Sequence, residues 1–137
     1  MRSGARRCWL GVVAWLLGLG VTACARKAPA VVCTCSYGGA EQHLVFPATR
    51  DPYAVKPVDV AGRFRFKAIY LREPWRAASV NVYAYHQAEG GDVLLQEGKY
   101  LPPFAAGAGG GRYGFTGRQL VYSPAARELE YWCELSP

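Results

Sequence analysis

Histidine is scarce in this chain: only His43 and His86 occur in 137 residues. Neither sits at ligand spacing from a second histidine, and H-E-x-x-H, C-x-x-C and a G-x-S-x-G serine elbow are all absent. Each of those spacings carries a chemistry, so their lack removes the zinc-hydrolase, zinc-ribbon and serine-hydrolase classes on motif grounds. No internal repeat at a fixed period and no long amphipathic helical pattern is present, which excludes solenoids and bundles. Gly109-Gly110-Gly111-Arg112-Tyr113-Gly114 formally fits the dinucleotide glycine pattern. That motif needs a strand before it and a helix after it, whereas here a Pro-Pro-Phe turn precedes and a strand pattern follows, so it reads as a loop. Cys35 and His43 could meet as a nucleophile and base, but His86, continuing an apolar strand face beside a turn, has a structural role. No catalytic residue is expected, and the chain reads as a non-enzyme.

Long apolar stretches are likewise missing, except at the start. Arg2, Arg6 and Arg7 precede an apolar segment that closes on Val21-Thr22-Ala23-Cys24. A basic region, an apolar region and small residues before a break are the parts of a secretory signal. The last four residues resemble the lipobox of bacterial lipoproteins: an aliphatic residue, two small ones, then cysteine. The resemblance covers residues 1–24 only. It implies cleavage before Cys24 and attachment of a fatty acid such as palmitate there, holding the mature chain to a membrane of the cell envelope. Ala25 stands where many such proteins carry an inner-membrane retention aspartate, so the resemblance points to the outer membrane, facing the periplasm. Two alternatives stay open: an ordinary cleavage around Ala23-Cys24-Ala25, and a retained helix, for which residues 8–23 are short against hydrocarbon about 30 Å thick. The organisation that follows is a signal peptide over 1–23, a lipidated tether over 24–30 and one domain over 31–137.

Loss of residues 1–23 leaves 114, enough for one core and too few for two. It also removes three arginines, so 13 basic residues face 10 acidic ones and the net charge falls from +6 to +3. A balance that mild gives no support for nucleic acid as a partner. Nine tyrosines, five phenylalanines and four tryptophans, set among abundant turn residues, favour strands.

Alternation locates the strands. Val31, Cys33, Cys35 and Tyr37 fall on one face of the first, and residues 42–46 return after Gly38-Gly39. Residues 49–59, with Pro52 and Pro57, form a loop or an edge strand. Residues 62–71 put Phe64, Phe66, Ala68 and Tyr70 on one side, and Arg63, Arg65 and Lys67 on the other. That basic stripe suits either solvent or an acidic partner or headgroup. Residues 79–87 and 92–101 make a hairpin about Glu89-Gly90-Gly91, where paired glycines supply the positive φ of a tight turn. Residues 117–123 and 127–135 are a last pair, with Leu129, Tyr131, Cys133 and Leu135 on one face. About seven short strands and no helix make an all-β domain, an antiparallel β-sandwich or a partly open barrel.

Cys8 lies in the leader and Cys24 in the lipobox, so three thiols remain: Cys33, Cys35 and Cys133. In an oxidising compartment the natural outcome is one bridge and one spare thiol. Cys33 and Cys35 cannot join each other across one residue without strain. The expected bridge is Cys35–Cys133, with Cys33 as the alternative partner. The sharper alternative recruits all three sulfurs, Cys33, Cys35 and Cys133, as a thiolate site for Cu(I) or Zn(II); otherwise no cofactor is expected.

Tyr83 and Tyr85 stand opposite the valine face of their strand, and Trp132 opposite Tyr131. A sandwich buries only one face of each sheet, so these three are the candidate binding surface. The functional expectation is a disulfide-tied, lipid-anchored module that binds another envelope protein or component.

Overall fold

Period-two alternation of apolar and polar side chains governs the domain. A computed structural model describes residues 28–73, 77–104, 111–125 and 127–136. Its strands are β1 (Ala30–Tyr37), β2 (Ala40–Pro47), β3 (Val58–Val60), β4 (Phe64–Leu71), β5 (Ser79–Ala88), β6 (Gly91–Tyr100), β7 (Gln119–Tyr122) and β8 (Glu128–Ser136). They form two four-stranded sheets, β2-β1-β8-β7 and β3-β4-β5-β6, antiparallel throughout. The all-β sandwich read from the pattern is the observed fold, with two separate sheets and not one rolled barrel.

The strand count is eight, one more than the pattern suggested. The addition is β3, from the stretch left as loop or edge. Pro57 lies just outside it, so its three residues keep their ladder donors and pair with β4 from the sheet edge. The connection before it contains a short 3-10 turn, Pro52–Ala54, capped by the Asp51 carboxylate accepting from Tyr53 N–H at 2.9 Å.

The core lies between the two inner faces. Phe64, Phe66, Ala68, Val80, Val82 and Ala84 come from one sheet; Val31, Cys33, Cys35, Leu129, Tyr131 and Cys133 come from the other, and all are buried. Phe66 sits at the middle, its ring 4.9 Å from Tyr131 and 6.2 Å from Phe46. Leu135 keeps its expected side of β8, opposite Val31, but at the strand end it is 38 % exposed. One flank is filled by rings from a connection, with Phe104 at 6.2 Å from Tyr70 and Phe115 at 5.4 Å from Tyr100.

After β6 the chain crosses back to the first sheet, and residues 114–116 dock on β8 where β7 does not reach. Phe115 N–H donates to the Cys133 carbonyl at 3.0 Å, and Cys133 N–H donates to Thr116 Oγ1 at 2.8 Å. The approach requires glycine at 114. Its φ is +58°, and a Cβ there would stand 2.0 Å from the Cys133 carbonyl oxygen.

Two stability outcomes follow. Phe66→Ala should cost about 3–5 kcal/mol by urea denaturation, and Phe66→Asp should leave no cooperative transition. Gly114→Ala should cost at least about 2 kcal/mol, from left-handed backbone plus collision with a carbonyl. Gly90→Ala, in open space without positive φ, should be near neutral by the same measurement.

Candidate functional site

The cysteines are settled by strand register. β1 pairs with β8 so that Cys33 faces Cys133 and Cys35 faces Tyr131. Cys33 and Cys133 are bridged, with Cα atoms 4.1 Å apart and a sequence separation of 100. The favoured pairing Cys35–Cys133 is therefore corrected to Cys33–Cys133. Both candidates point to the core as alternation requires, and a register two residues away would have chosen the other.

The bridge also occupies two of the three sulfurs of the thiolate alternative. With Cys33 and Cys133 oxidised, Cys35 has no second free thiol among the described residues to share a Cu(I) or Zn(II) ion with. Among the described residues no group of three His, Cys, Asp or Glu side chains is placed to hold a metal. Cys35 is a free, fully buried thiol, and burial pushes its pKa from 9.0 up to about 12. It is consequently a neutral thiol at physiological pH and a poor nucleophile. Nor does it meet His43, which is exposed on β2 with Nδ1 3.0 Å from Thr34 Oγ1. The Cys35–His43 pair does not form.

The proposed aromatic surface divides in two. Trp132 lies on the outer face of the β2-β1-β8-β7 sheet, whereas Tyr83 and Tyr85 lie on the outer face of the other sheet, across the whole core. Their grouping is corrected: alternation fixes which face of its own strand a residue takes but not which sheet the strand joins.

On the first of these faces, Trp132 meets Tyr113 edge-on at 5.3 Å, and Arg112 lies 5.4 Å from the Tyr113 ring centre. Arg118 grips Glu130 with two charge-assisted hydrogen bonds of 2.7 and 2.8 Å. That grip, in which the guanidinium donates to the carboxylate, holds Glu130 below its ordinary pKa. Tyr113 and Arg118 were not singled out in the sequence: Tyr113 lies in the glycine-rich loop, where no periodicity marks a face, and Arg118, read as part of a strand over 117–123, stands just before β7.

The second face is more continuous. Tyr83 and Tyr85 stack at 6.3 Å with planes 17° apart, and Lys67 Nζ stands 4.9 Å from the Tyr83 centroid. The register sets Lys67 beside Tyr83 and Arg65 beside Tyr85, so the basic stripe of β4 interleaves with the tyrosines of β5. On the far side Glu97 faces Tyr83, and Asp92 lies 3.5 Å from Arg65. Partial burial, followed by the Glu97 charge, raises the pKa of both tyrosines, which keeps their hydroxyls protonated donors. Such a face offers ring planes, cations, carboxylates and hydroxyls together.

Cys24 lies outside the described residues. No family model, curated protein or solved structure matches this chain.

Peptide mapping without reduction should recover Cys33 joined to Cys133 and Cys35 free. Native protein at pH 8 should alkylate at Cys35 only as fast as it opens, and rapidly once denatured. Alkaline titration carries a definite sign. A raised folded pKa stabilises below the unfolded value of 9.0, and that contribution is lost as pH climbs to about 12. Cys35→Ala should flatten part of that loss, the buried Tyr131 hydroxyl supplying the rest.

Proposed function

We propose that this protein is a lipid-anchored component of the bacterial cell envelope, whose sandwich binds another envelope component and performs no chemistry. The observation that carries the binding role is the Tyr83–Tyr85 stack, flanked by Lys67, Arg65, Glu97 and Asp92 on one open sheet face. Tyrosine brings large area at small entropic cost and recurs at the energetic centres of interfaces. The charges around it are of both signs, which favours a polar partner of defined shape over a bare anionic surface.

The anchor rests on residues 1–24 and their resemblance to lipoprotein signals. Where the tether would enter supports the arrangement. Ala30 opens β1 at a strand end, paired with Pro47 and Ser136, so a chain arriving from a lipidated Cys24 meets the sandwich end-on. Seven residues over 24–30 span at most roughly 25 Å. The body therefore stays within roughly 25 Å of the bilayer.

Two measurements test the proposal. Mass spectrometry of the mature chain should find an acylated Cys24 at the N-terminus, and Cys24→Ser should move the protein out of the membrane fraction. Captured from envelope extract, the wild-type chain should retain a partner that the double variant Tyr83→Ala, Tyr85→Ala loses by about thirtyfold or more. Trp132→Ala, on the opposite face, should retain it. Equal retention by all three proteins, or turnover of a substrate by the purified chain, would overturn the binding role.

A further inference from the structure

Each sheet has two edges, and two of the four are short: β3 is three residues long and β7 is four. β2 has eight residues and ends on Pro47. β6 is different: ten residues without proline, at the end of its sheet, with Val93 and Leu94 about half exposed at 49 % and 48 %. A strand of that length presents a row of backbone donors and acceptors open to another strand.

The bulge in β6 sets the register in which a second copy of the strand would match it face for face. Its register with β5 slips so that Ala84 faces Gln96 and Tyr85 faces Leu94, leaving Leu95 over and packed toward the core. Asp92, Leu94, Glu97 and Lys99 therefore point outward with Gln87, Tyr85, Tyr83 and Asn81, while Val93, Leu95, Gln96 and Gly98 point inward. A strand of regular alternation matches these faces on both sides of Leu95 only by leaving that residue unpaired, as β5 does. A second β6, antiparallel and related by a two-fold axis between Leu95 and Gln96, brings the same irregularity to the same place. Asp92 then opposes Lys99 of the other copy, Val93 opposes Gly98, Leu94 opposes Glu97, and Leu95 opposes Gln96. Every pair shares a face. Shifting the register by one residue or two sets an outward side chain against an inward one.

We propose that two copies of this chain join β6 to β6 in that register, fusing their β3-β4-β5-β6 sheets and pairing Asp92 of each with Lys99 of the other. Arg65 engages Asp92 Oδ1, and the opposing Lys99 takes the second carboxylate oxygen. The two Tyr83–Tyr85 faces become one surface, but the dimer stands independently of what that surface binds.

The charge pairs supply the test. In the full-length lipidated chain in detergent, mixed as isotopically light and heavy forms, a zero-length carboxyl-to-amine cross-linker should join Asp92 of one form to Lys99 of the other. Asp92→Lys alone and Lys99→Asp alone each set like charges together twice, and should weaken self-association about tenfold in sedimentation. An equal mixture of the two variants restores opposite charges at both positions and should associate as tightly as wild type. All four positions involved are on the surface, and an unchanged circular-dichroism spectrum confirms that folding is intact. A wild-type chain that stays monomeric, variants that dimerise as well as wild type, or a mixture no tighter than its components would each overturn the proposal.

Discussion

The pairing of β1 with β8 is the constraint on which the other parts depend. The first and last strands of the domain lie side by side in the middle of one sheet, and neither hairpin that they belong to could complete that sheet alone. The remaining sheet is a local meander, β3 to β6, built from neighbours in sequence. The chain thus has several inexpensive local pairings and one long-range closure. Loop entropy makes that closure the costly step, growing slowly with the length closed. The Cys33–Cys133 bridge acts on this junction. In the chain-entropy account a loop of about 100 residues is worth up to roughly 4.7 kcal/mol, and the cross-link lies between the two strands whose meeting needs it.

The same register determines the chemistry of the spare thiol. Cys35, opposite Tyr131, is sealed under the aromatic centre formed by Phe66, Phe46 and Tyr131. A sulfur so placed packs as a small apolar group, and its raised pKa follows from the absence of water and not from a charged neighbour. The interior is therefore dedicated to holding the sheets together. Of the two outer faces, that of β4-β5-β6 combines tyrosine planes with interleaved charge, and its outer edge is β6, the longest edge strand.

Much of this was legible beforehand. Alternation located β1, β4, β5 and β8 and assigned their buried faces, because a half-buried strand must repeat every two residues; β6 was placed only as the return strand of its hairpin. The glycine pair at Gly90-Gly91 marked the turn between β5 and β6. β3 was harder, since three residues give too little period to be distinguished from the proline-bearing loop around them. Tyr113 lay hidden for a related reason: loop residues carry no periodic signature, and only the docking of residues 114–116 on β8 fixes where that connection runs. Arg118, read as part of a strand over 117–123, falls just before β7, and only the tertiary structure sets it against Glu130.

The amino-acid sequence determined the class of fold, the inward placement of all three thiols in the domain, and the outward placement of Tyr83, Tyr85 and Trp132. Each of those is a property of a single strand, written in its own alternation. Tertiary structure alone decided that Cys33 and not Cys35 meets Cys133, and that Trp132 stands on the opposite side of the core from the tyrosine pair. Both depend on how strands far apart in the chain align and which sheet they enter, and the side-chain period of two is identical for every register that keeps the same faces inward.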